Sequence, residues 1–526
     1  MNNTRWKQLA VGAALLCLAA AGCTDTTVQP KSTVSAATEF RDPRSYEEFL
    51  AKIYAGLALS GQMGGSGEPD ILGIDDGYQQ YMRLYWEMEE LPTDEAVIAW
   101  GDRGLLEMNT QLWSSVSNMV VYMYYRIYFQ VSLANEFLRQ TTDSVLDSRG
   151  LADTLRTKIH QYRAEARFLR ALSYWHGIDL FGSIPLLTEY DPVGTTPPKQ
   201  VSRDSIYRYV VSELQAVRSQ LPQPGPSTYG RATGPAASML LAKVYLNAGI
   251  YTGTPHWSEA MSAVQDVINS GAYSLDPNWR RMFSADNNTS PEIIFPIIQD
   301  GVTTQSYGGT TFLVYASCGG TMDPAAYGVV GYPWQGLRLK PEAYNNYAAG
   351  DNRTSYFWTD GQTADVADIA NFSNGIAAPK FRNLTSTGAL LSNTGFVDTD
   401  YPLFRLSDAY LMYAELALRG GGGTQAQALA YVNAIRERAY GDASGDITAA
   451  QLTLPFILAE RGRELLWEAH RRTDLIRFGL FTGGNYIWAW KGGVEAGTAT
   501  DQFRDLMPLP ASELAANPYL TQNPGY

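Results

Sequence analysis

A chain of 526 residues, 45% of them hydrophobic, is long enough to bury a large core, and by length alone it could hold several domains. Its formal net charge of −13 argues against a nucleic-acid partner, which requires a basic surface. Aromatic residues make up 12% of the chain, including 33 Tyr and 12 Trp. A core alone does not require so many rings, so we expect some of them to lie at a binding surface.

The N-terminus has the pattern of an export signal. Arg5 and Lys7 precede an apolar run over residues 9–21, which is too short to span a bilayer. Small residues then lead into Cys23 in the sequence LAAAGC, which is similar to a bacterial lipoprotein cleavage site, although Ala20 stands where the strict pattern has Leu. We predict that residues 1–22 are a signal peptide and that Cys23 carries lipid. Ordinary secretion with a chance cysteine is the alternative.

Residues 23–40 are rich in Thr, Ser, Val and Ala, a composition typical of a flexible tether. If Cys17 leaves with the signal and Cys23 is acylated, Cys318 is the one cysteine that remains. The sequence therefore predicts no internal disulfide bond. It also predicts a protein held at a membrane by lipid alone.

Helical periodicity dominates residues 45–270. In residues 161–182 apolar side chains follow the three-four spacing of a buried helical stripe. Further helices are predicted over residues 203–221, 234–249 and 256–271, with Pro235 placed to begin the second of them and Gly249 to end it. Helix pairs resume after residue 404. Repeated pairs of this length predict a mainly α fold with tetratricopeptide-like stacking.

Residues 278–403 break this rhythm. Gly, Thr, Asn and aromatic residues replace the helical pattern, and no long helix fits. We predict one folded domain over residues 41–526, in which a helical scaffold (about 41–277 and 404–526) carries a long insertion of loops and short strands (about 278–403). Irregular segments on a rigid scaffold often hold binding residues.

Residues 459–479, AERGRELLWEAHRRTDLIRFG, form a charged segment that we call the framework segment. Glu460, Glu464 and Glu468 recur every four residues, which predicts one helical face, and Glu468 would reach Arg471 and Arg472 one turn later. A catalytic pair would instead need two carboxylates in different environments. The spacing predicts a structural, ion-paired helix.

No motif for catalysis or metal binding is present. The sequence has no GxSxG, P-loop, HExxH or CxxC pattern, and its four histidines are widely scattered. We therefore predict neither a metal nor a cofactor.

The framework segment resembles a signature of the SusD/RagB family of cell-surface glycan-binding lipoproteins of Bacteroidetes. Gly462 departs from the signature, where a charged residue is often found. The stretches RAEARFLRALSYWHGIDLFGSIPLLTE, RATGPAASMLLAKVYLNAG, FRLSDAYLMYAELALRGGG and the C-terminal DLMPLPASELAANPYLTQNPGY also resemble the family. The resemblance implies a non-enzymatic protein at the cell surface, docked on a SusC-type TonB-dependent porin in the outer membrane. The signature positions are held by Glu460, Arg461, Arg463, Glu464, Glu468, His470, Arg471, Asp474, Leu475 and Arg477.

A narrower resemblance concerns the ligand. Residues 88–109, MEELPTDEAVIAWGDRGLLEMN, are similar to starch-binding members, in which an aromatic arc holds a curved α-glucan. Sugar rings stack their CH faces on aromatic rings, and their hydroxyls need a few polar partners. The resemblance implies starch or maltooligosaccharide as ligand. The predicted ligand-binding residues are Trp100, Tyr307 and Trp334 as the platform and Arg83 and Asp76 as partners of the hydroxyls.

Other interpretations remain open at this point. Trp100 could be a core residue, and Tyr307 and Trp334 could fasten their loops to the scaffold. A glycoside hydrolase would need two carboxylates across a sugar site, for which Asp75, Asp76 and Asp102 are the nearest candidates. A family member could also bind a different glycan, a peptide or another nutrient, or act mainly as a lid on its porin.

Overall fold

A computed structural model describes residues 39–526 except positions 63, 66, 76 and 195. Cys23 and the predicted signal peptide, most of the predicted tether and Asp76 lie outside the described residues. The chain divides into two units, Met1–Ser45 and Tyr46–Tyr526. In the described part of the first unit, Arg44 forms an ion pair with Asp42. The second unit contains the scaffold and the cleft discussed below.

The secondary structure is mainly helical, with short strands. The α-helices are α1 (Ser45–Ala58), α2 (Tyr81–Glu90), α3 (Leu105–Thr110), α4 (Asn118–Gln140), α5 (Asp143–Ser148), α6 (Asp153–Phe181), α7 (Arg203–Val217), α8 (Gly234–Leu246), α9 (Ala248–Thr252), α10 (Trp257–Asn269), α11 (Gly309–Ala316), α12 (Pro341–Tyr344), α13 (Leu406–Leu418), α14 (Gln425–Tyr440), α15 (Leu454–Glu464), α16 (Arg471–Arg477) and α17 (Ala511–Ala516). The strands are β1 (Ala96–Ile98), β2 (Ile184–Pro185), β3 (Gln200–Val201), β4 (Ile293–Ile297), β5 (Leu337–Leu339) and β6 (Tyr401–Arg405). Short 3₁₀ turns connect several of these elements.

The long helices stack in sequence. Helix α4 packs on α6, α6 on α7, α7 on α8, α8 on α10, and α10 on α13, which also contacts α14 and α15. Each of the four helices predicted between residues 161 and 271 is present, with ends within a few residues of those expected, except that α6 begins earlier, at Asp153. The mainly α, repeat-like fold class is confirmed. None of the helices in the described part of the chain combines the length and apolar character needed to cross a bilayer.

The helix ends follow from local sequence. Thr233 caps α8 by accepting a hydrogen bond from the backbone N–H of Ala236, and Pro235 occupies the first turn. Helix α6 ends at Gly182, whose φ of +72° is a conformation that glycine adopts without strain. The apolar stripe of α6, including Phe168, Leu172 and Ile178, is fully buried.

Loops and short elements fill residues 278–403. Helix α11 is the longest described element there, at eight residues. The antiparallel pair β1 with β5 ties the segment to the scaffold, and a second antiparallel pair, β4 with β6, joins the two ends of the segment. The first pair aligns Ala96 with Leu339 and Ile98 with Leu337. It joins the loop that carries Trp100 to the loop that carries Trp334.

The framework segment is not one helix. Helix α15 ends at Glu464 and α16 begins at Arg471, and between them Trp467 and Ala469 have φ values of +61° and +58°. Glu468 therefore lies outside the helical face of Glu460 and Glu464, and the prediction that it reaches Arg471 and Arg472 is wrong. Its carboxylate accepts hydrogen bonds from Arg405 and Lys380 instead.

The glutamates of α15 nonetheless form buried ion pairs, as expected for a segment with a structural role. Glu464 is buried and pairs with Arg353, Arg405 and Arg438, while Glu460 pairs with Arg353, Arg436 and Arg463. These arginines lower the pKa of Glu460 to about 2 against the opposing effect of burial. The charges neutralise one another inside the protein and form no open acid/base site.

Candidate functional site

A cleft of about 620 Å³ lies beside the N-terminal end of α2. Four of the five residues predicted from the sequence to bind ligand line it, and each comes from a different segment of the chain. The fifth, Asp76, lies outside the described residues, but its neighbours Asp75 and Gly77 are part of the wall. The lining residues are Asp75, Gly77, Tyr78, Arg83, Trp100, Gly101, Asp102, Tyr307 and Trp334.

Three aromatic side chains follow one another along this cleft. The ring centroids of Trp100 and Trp334 are 6.2 Å apart, and those of Trp334 and Tyr307 are 6.1 Å apart. The two tryptophans are partly exposed and Tyr307 is 39% exposed, so ring surface remains open to a ligand. Trp100 is therefore not a core residue.

The position of each ring is fixed by its loop. The indole N–H of Trp100 donates a hydrogen bond to the carbonyl of Trp334 at 3.0 Å. The backbone N–H of Trp334 in turn donates to the carbonyl of Tyr315, whose ring packs against the Trp334 indole at 4.9 Å. The pairing of β1 with β5 brings Gly336 against the Trp100 ring, so closely that a Cβ at this position would lie 2.6 Å from the indole.

Arg83 lies beside this row of rings. Its guanidinium carbon is 4.2 Å from the ring centroid of Phe312 and 4.7 Å from that of Tyr78. Its Nε donates to the Glu87 carboxylate at 2.9 Å, and Nη1 makes a long bond of 3.4 Å to the carbonyl of Tyr307. Its Nη2 has no hydrogen-bond partner among the described residues, although the side chain is only 3% exposed. Arg83 lines the cleft and keeps an unused donor, which makes it a candidate partner for a ligand hydroxyl.

The sequence analysis did not predict Tyr78 as part of the cleft, and it considered Asp102 only as a candidate carboxylate of a glycoside hydrolase. Burial raises the pKa of the Tyr78 hydroxyl, and the charge of Asp102 raises it further. The only local signal for Tyr78 is an aromatic residue in the polar loop DDGYQQY. Asp102 follows Trp100 by two residues and could have been included with it.

The cleft suits recognition rather than acid/base chemistry. One oxygen of Asp75 accepts hydrogen bonds from the backbone N–H groups of Gly77 and Tyr78, both at 2.8 Å, so this carboxylate stabilises the turn. Aromatic faces beside a few polar groups can bind a neutral ligand that presents both CH faces and hydroxyls.

Comparisons with known proteins identify the family of the chain. The SusD family model matches residues 257–526. The starch-binding protein SusD of Bacteroides thetaiotaomicron is 33% identical over 528 residues, covering 91% of each chain, and the SusD-like protein P2 of Formosa agariphila is 27% identical over 73% of this chain and 78% of that one.

Solved structures share the fold. A SusD superfamily protein from Bacteroides thetaiotaomicron has a TM-score of 0.71 at 22% identity, covering 92% of this chain and 99% of that one. Surface glycan-binding protein A of the same organism, in complex with laminarihexaose, has a TM-score of 0.68 at 20% identity, covering 91% and 98%. The chain belongs to the SusD family, whose members are carbohydrate-binding proteins and not enzymes.

Proposed function

We propose that this protein is a lipid-anchored cell-surface protein that captures starch-derived α-glucan oligosaccharides and passes them to a SusC-type TonB-dependent transporter in the outer membrane. The observation that carries the proposal is the meeting of Trp100, Trp334, Tyr307 and Arg83 in one cleft. The starch-binding relative, 33% identical over nearly the whole chain, supports the choice of an α-glucan.

In the proposed binding mode, aromatic rings stack on the sugar and polar groups form hydrogen bonds with its hydroxyls. Successive glucose units would stack on Trp100, Trp334 and Tyr307, whose inclined planes (56° and 53° between neighbours) suit a curved chain better than a flat one. Arg83 and Asp76 would form hydrogen bonds with the sugar hydroxyls. Because a stacked ring contributes on the order of 1 kcal/mol and a charged hydrogen bond about 1.5–3 kcal/mol, neither class holds the ligand alone.

The membrane attachment is part of the proposal. Residues 1–22 would be removed as a signal peptide, Cys23 would carry the lipid, and residues 23–40 would tether the domain of residues 41–526. SusD family proteins are associated with the outer membrane, which supports this arrangement. Cys23→Ala should move the protein from the outer-membrane fraction to a soluble fraction in cells that lack the transporter. Unchanged fractionation would contradict the lipid anchor.

Calorimetric titration tests the ligand. Maltoheptaose should bind, and cellohexaose and laminarihexaose should bind at least tenfold more weakly. Trp100→Ala should weaken maltoheptaose binding about tenfold or more, which is about 1.4 kcal/mol. Tyr190→Ala is the matched control, because Tyr190 is an aromatic residue with 83% exposure that does not line the cleft.

The outcomes separate the parts of the proposal. If cellohexaose binds as tightly as maltoheptaose, the α-glucan assignment is wrong and the family's carbohydrate binding remains. If Trp100→Ala binds normally and keeps a wild-type circular dichroism spectrum, this cleft is not the binding site.

A further inference from the structure

We infer that Glu87 is a positioning residue for Arg83, and that the charge on Glu87 controls how tightly the cleft binds a neutral oligosaccharide. This inference rests on the proposed function, since it concerns the same cleft. It adds a proton-linked control of affinity to a ligand that has no ionisable group of its own.

The geometry makes Glu87 the main anchor of Arg83. The two residues are one turn apart on α2, their side chains are 0% and 3% exposed, and Arg83 Nε lies 2.9 Å from Glu87 Oε1. The other bond of the guanidinium to the protein is the 3.4 Å contact of Nη1 with the Tyr307 carbonyl, and Nη2 has no partner among the described residues. Phe312 and Tyr78 restrict the plane of the group by packing on it. Glu87 therefore sets which N–H groups remain for a ligand.

The environment of Glu87 makes its charge easy to lose. Burial raises the pKa of its carboxyl to about 7, even though Arg83 acts in the opposite direction. Its second oxygen, Oε2, is buried without a hydrogen-bond partner, so a proton can occupy it without breaking a bond. A protonated Glu87 keeps the Nε–H···O contact but loses its charge, and a neutral acceptor orients a guanidinium less strongly than a carboxylate does.

Few other charges act at this position. The charge of Asp102, in the loop before α3, also favours the neutral form of Glu87. Of the helices that pack on α2, α11 has Tyr315 as its one ionisable side chain. On α4, Arg126 donates to the carbonyls of Gln79 and Ser60. On α3, burial raises the pKa of Glu107 and Arg103 opposes this, with no contribution from Glu87. On α16, the charged residues have other partners: Arg471 pairs with Asp94, Arg472 with Glu89, and Asp474 with Arg461.

Two linked results follow. If the ionised form of Glu87 is the one that binds sugar, the dissociation constant for maltoheptaose should rise as the ionised fraction falls, by up to about tenfold between pH 8 and pH 6. Binding should also draw the proton off Glu87. Near pH 7 it should release up to about half a proton per sugar bound, and maltoheptaose itself contributes none.

Calorimetry in buffers of different ionisation enthalpy measures both quantities on the folded full-length domain. Wild-type protein should release protons at pH 7 and bind more weakly at pH 6 than at pH 8. Glu87→Gln, which retains a neutral acceptor for Arg83 Nε, should exchange no protons and should bind at every pH at least as weakly as wild-type protein does at pH 6. Asp102→Asn, the control for the other acidic group, should retain the pH dependence whatever its absolute affinity.

Each outcome bears on the inference in a defined way. Binding without proton release in wild-type protein would overturn the inference and leave the proposed function intact, and this measurement needs no variant that might misfold. Proton release that persists in Glu87→Gln would also overturn it. If neither maltoheptaose nor laminarihexaose binds at pH 8, the proposed function and this inference fail together.

Discussion

Two buried arginines, Arg405 beside the framework segment and Arg83 in the cleft, show how one residue type serves different purposes. Arg405 is 1% exposed and forms ion pairs with Glu292, Glu464 and Glu468. Arg83 is 3% exposed, has one carboxylate partner and keeps an unused Nη2. A guanidinium whose donors are all used by the protein supports the fold, whereas one that lines an open cleft with a donor unused is a candidate partner for a ligand.

The two regions are also in contact. The indole N–H of Trp86 on α2 donates to the carbonyl of Trp467, and the backbone N–H of Trp467 donates to the carboxylate of Glu95, just before β1. Helix α2 carries Arg83 and β1 leads to Trp100. The framework segment therefore stabilises α2 and β1, the two elements that position Arg83 and Trp100 in the cleft.

The largest expected effect is a loss of stability without a loss of affinity, which would distinguish the framework segment from the cleft. Glu464→Ala should lower the free energy of unfolding by at least about 3 kcal/mol, because it removes the shared partner of three buried arginines. Urea unfolding measures this change. Maltoheptaose affinity, measured well below the melting temperature, should stay within about twofold of wild type.

The matched control for this variant is Glu437→Ala on α14, where the glutamate is exposed. Its free energy of unfolding should change by less than about 0.5 kcal/mol. A large loss of affinity in folded Glu464→Ala would show that the framework segment takes part in binding directly.

A second, smaller effect concerns pH. Burial raises the pKa of Glu95 to about 7, and burial together with Glu95 raises the pKa of Glu90 well above its ordinary value.

 In the unfolded chain these carboxyls titrate near 4.3, so between about pH 4.3 and 7 the folded protein binds more protons than the unfolded one. The contribution of Glu95 to stability is therefore full at low pH and is lost as the pH rises through 7.

Glu95→Gln isolates this contribution. Burial lowers the pKa values of His176 and His470, which has the opposite effect on stability below about pH 6.5, so the prediction concerns the difference between wild type and variant. Relative to wild type, the variant should become more stable as the pH rises from 5 to 8, by about 1–3 kcal/mol. Urea unfolding at four pH values measures this, with Glu437→Gln as the control that should show no trend. A constant difference would mean that Glu95 is ionised throughout this range.

The sequence predicts the scaffold better than the turn inside its signature. Helices α7 and α8 have side-chain N-caps in Ser202 and Thr233, and α7 and α10 have periodic apolar stripes, so local sequence defines these helices. The break after Glu464 has no such signal, because positive φ values at Trp467 and Ala469 are unusual for these residues and depend on distant partners such as Trp86 and Glu95. Long-range contacts also explain why Tyr78 was missed.

The cleft residues were not predicted from helix caps or periodicity. Resemblance to starch-binding members pointed to Trp100, and loop motifs pointed to Tyr307 and Trp334, but neither shows how the three rings meet. That depends on the pairing of β1 with β5 across more than 230 residues of sequence, since Ala96 lies opposite Leu339. Spacing within a single segment contains no information on such a contact.

The smallest expected effect tests whether the ring row must be held in place. Gly336→Ala would place a methyl group 2.6 Å from the Trp100 indole, so the ring must shift, while the glycine backbone itself needs no positive φ. We expect maltoheptaose affinity to fall about threefold to tenfold in calorimetry, with a change of less than about 1 kcal/mol in the free energy of unfolding, because the indole lies at the edge of an open cleft and has space to move. Gly225→Ala is the matched control, since a Cβ there meets no atom within 4 Å, the residue also needs no positive φ, and it does not line the cleft. Its affinity should stay near that of wild type. If both variants bind alike, stacking on Trp100 tolerates the displacement, and the hydrogen bonds of the polar groups, Arg83 foremost, account for more of the binding free energy than the rings do.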